Sequence, residues 1–173
     1  KNVLLRLAQY DAFRDRAKSV KIAKGYIRRK LENGLCVLDA YGRNAKNPFR
    51  FEERDAYVRA VSSVRDWEGY DLDELRGLEG NAARIYFGAF ARCLMHGVEF
   101  PGRVYYPSTD PVNALLSFGY SLVARELGSL LELYGFDPCL GFMHAPSYGR
   151  RSLSLDLLEE FRHPLVDRLV LTL

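Results

Sequence analysis

Apolar residues recur at helical spacing through most of this chain. Phe13, Val20 and Ile27 lie seven residues apart, which predicts one long helix over residues 10–33. Gly34 follows Asn33 directly, and glycine tolerates the left-handed conformation in which many helices end. The pattern therefore predicts that this first helix ends at Gly34.

The following segments continue the helical pattern with polar interruptions. Residues 35–41 are apolar and favour the start of another helix over a strand, whereas residues 42–47 predict a loop. Residues 51–67 return to a helical pattern. Asp71 is a good N-cap for a further helix over residues 72–96.

The second half of the chain contains two further helices. Residues 99–106 contain a proline and a glycine and predict a connection, with a short hairpin as one possibility. Asp110-Pro111 begins a strong helix that ends at Gly135. A short amphipathic helix starts near Ser152. Five or six helices without a convincing strand ladder predict a mainly α domain.

One acidic residue stands out, because Glu79 lies within the apolar stripe of the helix over residues 72–96. A carboxylate among core positions is costly unless it is paired or bound to a metal. Gly77 and Gly80 flank it and weaken the helix, which indicates that a backbone or a ligand comes close. A salt-bridged core glutamate and a functional carboxylate both remain open.

Basic residues are concentrated at the start of the chain. The net charge is +3, but the first thirty residues hold ten Lys or Arg and two Asp, so they carry +8 and the remainder −5. Five of these basic residues fall in one sector of the first predicted helix: Arg14, Lys18, Lys21, Lys24 and Arg28. This basic stripe is either a solvated face or a phosphate-binding one.

Composition excludes several classes of protein. With 173 residues, 48% of them apolar, the chain is long enough for one folded domain. The longest apolar run, residues 112–124, is too short and too polar to cross a bilayer. Cys36, Cys93 and Cys139 form no C-x-x-C pair, which argues against a disulfide framework or structural zinc and favours a reducing cytoplasm.

Candidate chemistry is concentrated in residues 137–170. His144 lies in a turn-forming segment, and Arg150 and Arg151 follow a glycine. The helix after them carries Asp156, Glu159 and Glu160 on its predicted polar side, with leucines on the other face. Asp156 and Glu159 lie one turn apart, so their carboxylates can converge. These residues suit metal-assisted phosphodiester chemistry, and equally a polar loop that leads into a surface helix.

Three motifs in register decide between these interpretations. The strings LEGNAARIYF, DPVNALLSFGYSLV and GFMHAPSYGRRSLSLDLLEEFRHPLVDRLVL resemble the signature of the CRISPR-associated endonuclease/integrase, the catalytic subunit of the spacer-acquisition complex. The resemblance covers essentially all of residues 1–173 and implies the family's helical catalytic domain. It implies insertion of foreign DNA fragments into a CRISPR array by transesterification.

The resemblance also implies a site. In that family a glutamate, a histidine and a second acid bind a divalent metal, and these fall on Glu79, His144 and Glu159, with Asp156 as a supporting acid. Oxygen ligands with one imidazole suit Mn²⁺ or Mg²⁺. DNA contacts are expected from the basic stripe and from Arg84, Arg150 and Arg151, although family members often carry proline at the last position.

Partners follow from the same resemblance. We expect double-stranded and branched DNA, a homodimer in the full-length form, a small second subunit and no membrane. The family's N-terminal β-rich domain has no counterpart here. The absent initiator methionine and the uncapped end predict a fragment. The alternatives are a non-catalytic helical DNA-binding or scaffold domain and an unrelated metal-dependent hydrolase.

Overall fold

The computed structural model describes residues 2–43, 50–94, 98–108 and 110–173, and within them every regular element is helical. This confirms the mainly α prediction. The helices are α1 (Val3–Arg14), α2 (Arg16–Gly42), α3 (Phe51–Asp66), α4 (Leu72–Cys93), α5 (Pro111–Tyr134), α6 (Ser152–Phe161) and, after a π-helical segment (Arg162–Asp167), α7 (Arg168–Val170). The predictions for residues 44–47 and for 95–96 lie outside the described residues.

Helix α2 is the centre of the domain. It is the longest helix, with 27 residues, and packs against α1, α3, α4, α6 and the π-helical segment. Its fully buried positions include Ala23, Ile27 and Leu38, so the predicted apolar stripe does face the core. No described helix combines the length and the apolar character that crossing a membrane requires.

The first predicted helix is two helices, because the chain bends at Asp15. This residue has extended backbone angles, and its carboxylate accepts a hydrogen bond from the Lys18 backbone N–H at 3.1 Å, which caps α2. Arg14 therefore belongs to α1, whereas the other four members of the basic stripe belong to α2. The prediction of one continuous helix over residues 10–33 was wrong at this point.

Gly34 does not end the helix, contrary to prediction. It lies inside α2, which continues to Gly42, so residues 35–41 are helical as expected. A Cβ on Gly34 would collide with the Tyr57 hydroxyl and lie 3.1 Å from the His163 ring and 3.2 Å from the Tyr86 ring. Residue 34 has to be a glycine because these three side chains pack directly against the helix backbone.

We expect Gly34→Ala to lower the free energy of unfolding by about 1–3 kcal/mol, since overpacking outweighs the gain in helix propensity. Gly25 is the matched control, because it lies in the same helix and a Cβ there meets no atom within 4 Å. Gly25→Ala should raise stability by up to about 1 kcal/mol. Urea denaturation of both variants measures this. Stabilisation of similar size in both would contradict the packing argument.

Three other predicted helix ends are confirmed, whereas α4 ends at Cys93, before the predicted residue 96, because Leu94 has an extended backbone. Asp71 and Asp110 cap α4 and α5 with their side chains, and Gly135 ends α5 with φ of 98°. Between α4 and α5, the described connection forms no hairpin. Buried Asn113 holds it, accepting from Val104 N–H at 2.9 Å and donating to the Gly102 carbonyl at 2.8 Å.

Candidate active site

Helices α2, α4 and α6 meet at one buried lysine. The ammonium of Lys30 lies 2.5 Å from Glu79 Oε1 and 2.6 Å from Glu159 Oε2. The three side chains are 7%, 16% and 4% exposed, so the charges are largely shielded from solvent. Two carboxylates from separate helices are thus held on either side of one cation.

Glu159 is the most enclosed member of this cluster. Its Oε1 accepts from Arg162 at 2.8 Å, while Oε2 is close to Lys30 as an ion pair without hydrogen-bond alignment. Burial raises the pKa of the carboxyl, but Lys30 and Arg162 outweigh burial and lower the pKa from 4.5 to about 2. Glu159 is therefore ionised at neutral pH.

His144 is oriented by Asp156. The imidazole Nδ1 lies 2.7 Å from Asp156 Oδ1, and both Asp156 oxygens already accept backbone N–H groups, so we assign Nδ1 as the donor of this hydrogen bond. Asp156 also accepts backbone N–H bonds from Phe142 at 2.5 Å, Met143 at 3.1 Å and His144 at 2.9 Å. The Nε2 of His144 is thereby left as the basic nitrogen, the arrangement typical of metal-ligating histidines.

The predicted metal ligands fall into two neighbouring groups. The structure brings Glu79 and Glu159 together through Lys30, and it brings His144 together with Asp156. In the described ranges, no three His, Cys, Asp or Glu side chains stand close enough to hold a metal ion as placed. The donor chemistry nevertheless fits a divalent cation, because Glu79 and Glu159 supply carboxylate oxygens and His144 supplies an imidazole nitrogen.

Helix α6 has no polar side of the predicted kind. Asp156 is 0% exposed and Glu159 is 3% exposed, so both predicted polar positions are buried. The helix lies between α5 and α2, so both of its faces are covered. The two carboxylates contact different partners in this structure, since Asp156 bonds to His144 and Glu159 pairs with Lys30 and Arg162.

A second buried polar cluster, distinct from the one around Lys30, is centred on Asp167. Asp167 is fully buried and accepts hydrogen bonds from Tyr86 at 2.9 Å, from His163 Nδ1 at 2.6 Å and from the Tyr120 hydroxyl. The Arg162 guanidinium stacks on the Tyr120 ring, 4.4 Å from its centroid. Arg162 therefore links this cluster to Glu159.

Lys30 and Arg162 are the functional-site residues that the sequence did not reveal. Lys30 lies one turn after Ile27 on the buried face of α2, an ionisable residue within an apolar stripe. An ionisable residue within an apolar stripe is the same signal that identified Glu79 in the sequence. Arg162 gave no comparable signal, since it belongs to the π-helical segment, whose periodicity differs from that of an α-helix.

The predicted DNA-contacting arginines occupy two places. Arg84 is exposed, donates to Asn81 at 3.2 Å and lies five residues after Glu79, just over one helical turn. Arg150 donates to the Ala145 carbonyl, and Arg151 forms an ion pair with Glu132 of α5 at 2.7 Å. The latter two are thus anchored on the α5 side of α6 and not beside Lys30.

The basic stripe is partly neutralised. Lys18 pairs with Asp15 at 3.3 Å, Arg28 pairs with Glu32 at 3.6 Å, and Lys24 donates to the Trp67 carbonyl at 2.5 Å. The Arg28–Glu32 pair is one helical turn apart, so this face does contain a supporting acid. Both interpretations of the stripe stay predictions.

Comparison with known proteins identifies the family. The family model described as CRISPR associated protein Cas1 matches residues 1–173. The chain belongs to the Cas1 family. The resemblance drawn from the three sequence motifs is thereby confirmed.

Individual Cas1 relatives agree with this assignment. The CRISPR-associated endonuclease Cas1 3 of Thermus thermophilus is 38% identical over 174 residues, which is 100% of this chain and 49% of the relative. A casposase bound to integration product matches with a TM-score of 0.86 and 29% identity, covering 99% of this chain and 47% of that one. A Cas6-RT-Cas1–Cas2 complex matches with a TM-score of 0.82 and 25% identity, covering 99% of this chain and 18% of that one. The chain spans about half the length of the first curated relatives it matches.

Proposed function

We propose that this Cas1-family chain is the catalytic domain of a divalent-metal-dependent DNA endonuclease/integrase. Its reaction is the insertion of DNA fragments as new spacers into a CRISPR array by transesterification. The observation that carries this proposal is the pair of shielded carboxylates, Glu79 and Glu159, held across Lys30. Lys30 offsets the repulsion of these two acids and marks the point where the site holds positive charge, which the proposed ion would bind with the same oxygens and with His144.

The relatives support the reaction class and the partners. The matched Thermus protein is named an endonuclease, the casposase is bound to integration product, and the third neighbour is a complex of Cas1 with Cas2. We therefore propose DNA as the substrate and a small second subunit of the Cas2 kind. The homodimer of the full-length protein stays a prediction from the motif resemblance.

The residues that would hold the metal are Glu79, Glu159 and the Nε2 of His144. Their oxygen and imidazole donors suit Mn²⁺ or Mg²⁺. Such an ion, when bound, polarises a DNA phosphate and lowers the pKa of the attacking hydroxyl or water.

The protein's own groups prepare this site. Lys30 and Arg162 keep Glu159 ionised, as its pKa of about 2 indicates. Asp156 fixes the proton of His144 on Nδ1, so that the imidazole is oriented with its basic nitrogen free. Arg84, exposed on the same helix as Glu79, is placed to attract a DNA phosphate.

Manganese binding tests the assignment. We expect Mn²⁺ to raise the melting temperature of the chain. Glu79→Gln, His144→Ala and Glu159→Gln should each lower the apparent affinity for Mn²⁺, obtained from this shift, at least tenfold. Each of these changes removes one donor of the ion. Differential scanning fluorimetry measures the shift against each variant's own metal-free melting temperature.

Glu160→Gln is the matched control. Glu160 is the next acid on α6, but its partner is the exposed Arg29 at 2.7 Å, so the manganese response should be unchanged. A manganese-induced shift in melting temperature equal to that of the wild type in all three site variants would refute the metal assignment. DNA binding that falls with salt but ignores chelator would instead favour the non-catalytic DNA-binding alternative.

A further inference from the structure

A cavity lies against α5, on the side of α6 away from Lys30. Its volume is about 540 Å³, and it opens at the N-terminal end of α6. Its polar lining consists of three arginines and one serine: Arg125, Arg150, Arg151 and Ser154. No part of the proposed metal chemistry uses it.

The Ser154 hydroxyl indicates that the cavity takes a ligand. Ser154 is 1% exposed and its Oγ has no hydrogen-bond partner among the residues that the structure describes. A buried hydroxyl without a partner is destabilising, so such groups are rare unless a ligand satisfies them. Ser154 is also one of the residues that line the cavity, so a ligand bound there is an available partner for its hydroxyl.

Gly128 of α5 brings the charged and hydroxyl groups together. A Cβ at this position would lie 2.6 Å from Arg151 Nη1 and 3.0 Å from Ser154 Oγ. The guanidinium and the hydroxyl therefore reach the same point on the surface of α5. A side chain on residue 128 would displace at least one of them.

The charges around the cavity favour an anion. Arg150 is held by the Ala145 carbonyl and by Ser152 Oγ at 3.3 Å, so its charge has no carboxylate partner in the described part of the chain. Arg151 pairs with Glu132 at 2.7 Å. Arg125 is 3.4 Å from Glu126, and both are more than two-thirds exposed, so that pair contributes little.

We propose that this cavity binds a phosphate group. A phosphate offers several acceptor oxygens to guanidinium groups and to a hydroxyl, and the N-terminal end of a ten-residue helix favours negative charge. The site is separate from the metal centre, because Ser154 and Arg151 face α5 whereas Glu159 faces Lys30 of α2. The phosphate comes either from the backbone of DNA or from a free phosphate compound.

Inorganic phosphate is the first probe, titrated into the chain in the presence of EDTA so that the outcome does not depend on the proposed metal function. Isothermal titration calorimetry at constant ionic strength should detect binding by the wild-type chain. Ser154→Ala and Arg150→Met should each weaken it at least fivefold. Without phosphate, Ser154→Ala should be as stable as wild type or more so, since it removes an unsatisfied group.

Arg65→Met is the control, because Arg65 is an exposed arginine on α3 that pairs with Asp66. It should bind phosphate as wild type does. A short duplex DNA in the same buffer distinguishes the sources. Weaker DNA binding by Ser154→Ala identifies the DNA backbone, whereas unchanged DNA binding with weakened phosphate binding identifies a free phosphate compound. Phosphate affinity that is absent in wild type, or unchanged in both variants, overturns the proposal.

Discussion

Lys30→Met is expected to lower the free energy of unfolding by about 3–5 kcal/mol at neutral pH. The substitution keeps most of the side-chain volume but removes the cation between Glu79 and Glu159. Two shielded carboxylates are then left with Arg162 as the only nearby positive charge among their described ion-pair partners. Chemical denaturation at pH 7 measures the loss.

The loss should depend on pH in a defined direction. In the wild type the pKa of Glu159 is lowered to about 2, so its ionised form contributes stability that is fully present above pH 4.5 and lost as the pH falls toward 2. Without Lys30 this pKa is lowered less. The difference in stability between the two proteins should therefore shrink as the pH falls from 4.5 toward 2.

Two comparisons separate the effect of charge from a general effect of the substitution. Lys21→Met removes an exposed lysine of the same helix and should change stability by less than about 0.5 kcal/mol. The double variant Lys30→Met/Glu159→Gln should recover part of the loss. Manganese should also stabilise Lys30→Met more than wild type, because it supplies the missing charge. Equal stability of Lys30→Met and Lys21→Met would disprove the role of Lys30.

Asp156→Asn is expected to cost about 3–5 kcal/mol, because it removes a buried charge that accepts several hydrogen bonds. The carboxylate is 0% exposed and is bonded to three consecutive backbone N–H groups and to the His144 ring. An asparagine has one acceptor oxygen, and its amide would point a donor at the remaining donors. Thermal and chemical denaturation both measure the effect.

A second readout links Asp156 to the imidazole. Nitrogen NMR of the His144 ring should show the proton on Nδ1 in the wild type and a mixture of tautomers in Asp156→Asn. Asp66→Asn, at an exposed aspartate that pairs with Arg65, should change neither stability beyond about 0.5 kcal/mol nor the His144 signal. A variant as stable as wild type, with Nδ1 still protonated, would contradict this account.

The sequence predicted the helices where local signals and packing agree. Asp71, Asp110 and Gly135 were recognised as helix ends because capping depends on neighbouring residues alone. Gly34 was misassigned because the same local signal was overridden by tertiary contacts with Tyr57 and its neighbours. A helix end cannot be distinguished from a close packing contact by the presence of a glycine.

The candidate site was likewise predictable where a local signal exists and unpredictable where tertiary contacts decide. Glu79 was found because an acid within an apolar stripe is anomalous, and its salt bridge to Lys30 satisfies one of the two interpretations left open. The burial of Asp156 and Glu159 was missed because a helical projection does not reveal that α6 is covered on both faces. Long-range pairs such as Lys30 with Glu159 depend on the fold itself.

The hydrogen bonds of Asp156 divide the candidate ligands into a fixed pair and a separate third. They join residues 142–144 to α6, so His144 and Glu159 are carried by one rigid unit. Glu79 belongs to α4 and reaches that unit through Lys30. In the proposed metal site, adjustment to the radius of a particular ion would therefore come from Glu79 and its helix α4, which packs against α2 and α3, while His144 and Glu159 share one support.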